Sequence, residues 1–84
     1  IDFLARKDLR NRLNKAKREA ERLEHEIAQL DAEREVLAAD LSRGGDYSRL
    51  GTRIAEVERQ AAVLMERWEA AIREYEALKS EFEP

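Results

Sequence analysis

The sequence predicts an all-α fold, a two-helix antiparallel coiled-coil hairpin, on three observations. The first is a four-three ladder along the first half: Leu9, Leu13, Ala16, Ala20, Leu23, Ile27, Leu30, Arg34, Leu37 and Leu41. The second is a matching ladder along the second half: Tyr47, Leu50, Ile54, Val57, Ala61, Leu64, Trp68, Ala71, Tyr75, Leu78 and Phe82. Neither slips, and a period of about 3.5 residues is that of a coiled-coil seam. The third is the short link Ser42-Arg43-Gly44-Gly45-Asp46, which allows only an antiparallel return.

Each element has its own justification. Helix 1 is predicted over about 3–42, the turn over 43–46 and helix 2 over about 47–82, in one domain. Gly44 suits the left-handed residue that closes a helix, because it has no Cβ to clash at positive φ. Asp46 suits the N-cap of helix 2, where a carboxylate accepts orphan N–H groups. Antiparallel partners then have residue numbers with a constant sum. Leu41–Leu50, Leu37–Ile54, Arg34–Val57, Leu30–Ala61, Ile27–Leu64, Leu23–Trp68, Ala20–Ala71, Ala16–Tyr75, Leu13–Leu78 and Leu9–Phe82 all sum to 91. Small residues face or flank Trp68 and Tyr75, as interdigitated packing requires. Arms of 36–40 residues are about 55–60 Å long. Losing Trp68 from such a seam is expected to cost about 3–5 kcal/mol.

Composition narrows the function. The chain has 84 residues, 42% of them charged, and no cysteine, so disulfides and thiolate metal sites are excluded. No apolar run reaches the roughly 18 residues of a membrane span, and no signal-peptide core is present. The opening on Ile1 rather than Met reads as an excised or processed chain. Catalytic constellations are missing: Gly44, Gly45 and Gly51 form no phosphate loop, and His25 falls at an outward heptad position without a second histidine. The carboxylates have no cleft to raise their pKa. The chain reads as a binding or structural module with no catalytic, cofactor or metal residues of its own.

Net charge is −3 but unevenly spread. Residues 1–18 net +5 and residues 66–84 net −3, so folding sets a basic start against an acidic end, and mutual neutralisation within the hairpin is expected. Along the g edge of the seam, Arg12–Glu81, Glu26–Arg67 and Asp40–Arg53 are expected as opposite-sign pairs. Along the e edge Arg10–Lys79 and Asp31–Glu58 are like-charged, with apolar Met65 and Ile72 between them. Met65 and Ile72 are candidate anchors for a docking partner. Arg34 interrupts the ladder at an a position, where one polar residue sets register; its stem is expected on Val57 and its guanidinium near Glu33 or Glu58. Two basic clusters are candidate nucleic-acid contacts: Arg43, Arg49 and Arg53 around the turn beside Tyr47 and Ser48, and the start of helix 1 with Arg6, Lys7, Arg10 and Lys17.

Four stretches carry a family likeness: the basic opening, Arg22-Leu23-Glu24-His25-Glu26-Ile27-Ala28-Gln29-Leu30, Asp46-Tyr47-Ser48-Arg49-Leu50, and Glu66-Arg67-Trp68-Glu69. Together they make the chain resemble the C-terminal coiled-coil domain of ABC-F ATPases of the Uup-like group. Members often have a proline in the turn, where this chain has Gly44-Gly45, and helix 2 runs on longer here, to Phe82. The resemblance implies a non-catalytic arm of a cytoplasmic parent that binds ATP and magnesium in cassettes elsewhere. It further implies action on translating ribosomes or nucleic acid, with DNA or RNA bound by this arm. Tyr47 and Trp68 are, by the same resemblance, fold determinants. Two other readings stay open. One is a structural coiled coil docking on the ATPase domains of the parent chain or forming a homodimer. The other is a tRNA-binding arm like that of a seryl-tRNA synthetase.

Overall fold

A computed structural model describes residues 2–83. They form two helices, α1 (Phe3–Ser42) and α2 (Tyr47–Phe82), packed side by side along their length. The hairpin measures 64 × 16 × 14 Å, the shape of a two-helix rod. Asp2 caps α1, its carboxylate accepting the Ala5 N–H at 2.8 Å. Asp46 caps α2 in the same way, accepting the Arg49 N–H at 3.1 Å.

The turn is closed by backbone geometry. The Gly45 N–H donates to Asp40 O at 3.0 Å and the Gly44 N–H to Leu41 O at 3.1 Å. This is the paired-carbonyl closure of a helix C-terminus, and it holds Gly44 at φ 90°. A Cβ at Gly45 would lie 2.7 Å from Leu50 Cδ1 and 3.0 Å from Asp40 O, so the second glycine is needed for space.

Packing follows the constant-sum register. Leu9, Leu13 and Ala16 cluster with Tyr75, Leu78 and Phe82, and Ala20 and Leu23 with Leu64, Trp68, Ala71 and Ile72. The ladders are not buried evenly. Among the described residues, six of the eight that are apolar and buried (Leu9, Ala16, Ala20, Leu23, Ala71 and Leu78) lie in the half away from the turn, leaving Leu50 and Val57 nearer to it. Small Ala16, Ala20 and Ala71 let the helices close there around Trp68 and Tyr75. Nearer the turn, Ile27, Leu30, Leu37, Leu41, Ile54, Ala61 and Leu64 are only half-buried.

Two ladder positions depart from expectation. Tyr47 is 79% exposed, so its ring is no part of the seam. It is the first residue of α2, where the chain has only just left the turn. Arg34 is exposed and forms no ion pair with Glu33 or Glu58 among the described residues; Glu33 is taken by Arg53 instead. Trp68 is half-buried, and its indole N–H donates to Glu24 Oε1 on α1 at 3.0 Å. That bond ties the helices together across the e edge.

Candidate nucleic-acid interface

The two basic clusters meet different local chemistry. Around the turn, carboxylates hold two of the three arginines. Arg53 donates from Nε to Glu33 Oε2 at 2.6 Å and from Nη2 to Glu33 Oε1 at 2.9 Å, a two-pronged bond across the helices. Its Nη1 also reaches Glu56 at 3.3 Å, one turn along α2. The Glu33 carboxyl is held below its ordinary range chiefly by the hydrogen bond from Arg53, and the guanidinium is pushed up in return. Arg43 is drawn to Asp40 at 2.6 Å, three residues back on the same chain. Arg49 is exposed and makes no side-chain ion pair among the described residues. It stands beside exposed Tyr47 and Ser48, near the capping carboxylate of Asp46.

These contacts correct the expected g-edge pairing. Asp40–Arg53, Arg12–Glu81 and Glu26–Arg67 are not among the ion pairs of the described residues. Arg53 reaches one heptad further, to Glu33, because a guanidinium on a long stem has that span and Asp40 has a nearer partner in Arg43. Glu26 is held at 2.7 Å by Arg22, which also grips Glu19 at 2.6 Å. The Arg22 hydrogen bond is the main reason that Glu19 is held below its ordinary range, with Arg67 and Lys15 adding to it.

The start of α1 is different. Arg6, Lys7, Arg10, Arg12, Lys15, Lys17 and Arg18 are all exposed, and none is in an ion pair among the described residues. The expected neutralisation by the acidic end of α2 therefore does not occur through direct pairs. Arg6 instead lies over the Phe82 ring, 4.7 Å from its centre, and Lys79 lies 6.0 Å from the centre of the Tyr75 ring. Lys7, Arg10, Asn14 and Lys17 follow a three-four-three spacing, which puts them on one face of α1. The register places Lys79 across the seam from Arg10, extending the basic stripe onto α2. Asn14 and Lys79 are the members that sequence reasoning did not single out. Their signal was present, in the spacing and in a cross-pair that registered only as repulsion.

The docking candidates also separate. Met65 is 42% exposed on the e edge, beside a groove that it shares with Glu24, Ile27, Ala28, Asp31 and Trp68. Ile72 is half-buried and packs against the Ala20, Leu23 and Ala71 cluster of its own hairpin. His25 is exposed, and no group of three metal-binding side chains occurs among the described residues. No helix among the described residues is long and apolar enough to cross a membrane.

Comparison with curated proteins and with solved structures returned no match. A family model does match: the ABC transporter C-terminal domain, over residues 12–78, which takes in the turn, Trp68 and all of both ladders except Leu9 and Phe82. With that span covering most of its length, the chain belongs to the ABC transporter C-terminal domain family.

Proposed function

We propose that this hairpin is the nucleic-acid-binding arm of an ABC-F type, Uup-like ATP-binding protein, and that it contacts DNA or RNA backbone through the open end of α1. The membership in an ABC C-terminal domain family supports the place of the arm in such a parent. ATP and magnesium then belong to the cassettes of that cytoplasmic parent, and the arm itself is non-catalytic. One observation carries the nucleic-acid reading: Lys7, Arg10 and Lys17 form an exposed stripe whose charges no carboxylate pairs among the described residues. Unpaired cations release counterions on meeting phosphates, whereas Arg43 and Arg53 must first give up Asp40, Glu33 and Glu56. Backbone contacts of this kind position a duplex or a folded RNA without reading its sequence.

Fluorescence anisotropy with duplex DNA, single-stranded DNA and tRNA at about 50 and 200 mM salt tests it. Binding is expected to weaken steeply with salt. A Lys7, Arg10, Lys17 triple glutamine variant is expected to lose it, with the duplex salt slope shallower by about 2–3. The corresponding Arg43, Arg49, Arg53 variant is expected to keep most of it. Loss in the second variant alone would move the site to the turn, where Tyr47 stands exposed to stack on a base. No binding up to about 100 μM would remove nucleic acid from the function of the isolated arm.

A further inference from the structure

The e edge of the hairpin sets like charge against like, and the order of charges along it is self-complementary. Its open end is basic, with exposed Lys7, Arg10 and Lys17 on α1 and Lys79 on α2. Its middle is acidic, with exposed Glu24 and Asp31 on α1 and Glu58 on α2. None of these seven charges has an ion-pair partner among the described residues. Apolar Ile72 lies between the two zones, and Met65 lies beside Glu24 and Asp31, where the seam opens as a groove. The hairpin thus leaves both signs unneutralised on one edge, on either side of an apolar patch.

We propose that a second copy of this chain docks antiparallel on this edge, related by a twofold axis beside Ile72. A twofold dimer needs one surface that complements itself when reversed about a single point. Here Arg10 meets the partner's Asp31 and Lys17 meets the partner's Glu24, and both pairs of numbers sum to 41. The axis therefore crosses α1 between residues 20 and 21. The hairpin register, with its sum of 91, puts Ile72 level with residue 19, so the two copies of Ile72 meet next to the axis. Glu58 is level with residue 33 and takes Lys7 of the other copy. A partner unrelated to this chain has no reason to share that twofold axis, which is why a second copy is the chosen occupant. The inference does not rest on nucleic-acid binding, but it uses the same three cations, so the two modes exclude each other.

Sedimentation of the 84-residue chain without nucleic acid, from about 1 μM to 1 mM at low salt, tests it. A monomer–dimer equilibrium is expected. R10E should weaken it about tenfold or more, D31R should do the same, and the two together should restore it to within about threefold. Both side chains are exposed, and circular dichroism checks that the helices persist in each variant. Because the chain has no cysteine, nitroxides at Glu69→Cys and Thr52→Cys give an independent reading on otherwise native protein. The axis predicts paired labels about 5 Å apart along the rod at position 69 and about 55 Å apart at position 52. A monomer at every concentration, an association indifferent to both charge reversals, or short distances at position 52 would overturn the proposal. Failure here leaves the anisotropy result standing, and the reverse also holds.

Discussion

The two ends of the hairpin are held together by different means, although the same heptad period runs through both. Away from the turn, Ala16, Ala20, Leu23 and Ala71 are buried in clusters that include Trp68 and Tyr75, while the cations at the start of α1, from Arg6 to Arg18, form no ion pair among the described residues. Towards the turn, most ladder residues are half-buried, and the structure relies on the Asp46 cap, the glycine closure and the Arg53–Glu33 bond. The difference comes from residue size at facing positions. Alanine opposite an aromatic lets the helices close, whereas the seam beside Leu30 and Leu64 opens as a groove. Packing anchors one end and leaves its charge available; polar contacts fix the other and consume its charge.

The same substitution made in each half should expose this contrast most strongly. Leu23 is 1% exposed, so Leu23→Ala is expected to cost about 3–4 kcal/mol in urea or thermal unfolding. Leu37→Ala, at a half-buried position nearer the turn, is expected to cost about 1–2 kcal/mol. Equal costs would mean that the seam is uniformly packed. Trp68→Ala comes next, at about 2–3 kcal/mol. This is below the figure for a fully buried aromatic because the ring is only partly buried and its hydrogen bond to Glu24 is exposed. A loss as large as that of Leu23→Ala would show that Trp68 anchors the seam as firmly as Leu23 does.

What was legible in the sequence divides along the same line. The hairpin, its apolar register and the roles of Gly44 and Asp46 could be read because each rests on a strict period or on a backbone requirement that few residues meet. The placement of charges could not. Arg53 had Asp40, Glu33 and Glu56 within the reach of its side chain, and heptad pairing does not rank such choices. Asp40 went to Arg43 because a partner three residues away in the chain, at the helix cap, costs less order to hold. Tyr47 obeys the ladder spacing, yet position at a helix start decides exposure independently of period. The count of arginines at the turn therefore overstated the cationic field there, and the count of acidic residues in α2 understated that of α1.

A smaller effect, about 1–2 kcal/mol, is expected for Gly44→Ala in the turn, since a Cβ is strained at φ 90° although nothing crowds it. Unfolding midpoints of this variant and of Gly44→Asn should separate, because asparagine tolerates that conformation better. If both behave like wild type, the turn has another closure available to it.

Glu33→Gln should have the smallest effect on stability and is the most direct attack on the contrast between the ends. Hydrogen bonding to Arg53 lowers the Glu33 pKa from its ordinary 4.5, so the folded chain binds fewer protons than the unfolded one near that value. The stabilisation is therefore complete above about pH 5 and fades as the pH falls through the lowered folded value. An acid titration of the unfolding midpoint should show that decline in the native chain, and a shallower one in Glu33→Gln. Glu19, lowered chiefly by its bond to Arg22, adds a slope of the same sign. The pair is open to water and screened by salt, so the decline should shrink in concentrated salt. The second consequence is on binding. With the glutamate neutral, Arg53 loses its two-pronged partner and keeps only the longer contact to Glu56. The turn should then begin to bind phosphate, and the salt slope for duplex DNA should steepen by about one. An unchanged slope would mean that Glu56 alone is enough to withhold Arg53, and that the division between a charged open end and a neutralised turn is more robust than one carboxylate.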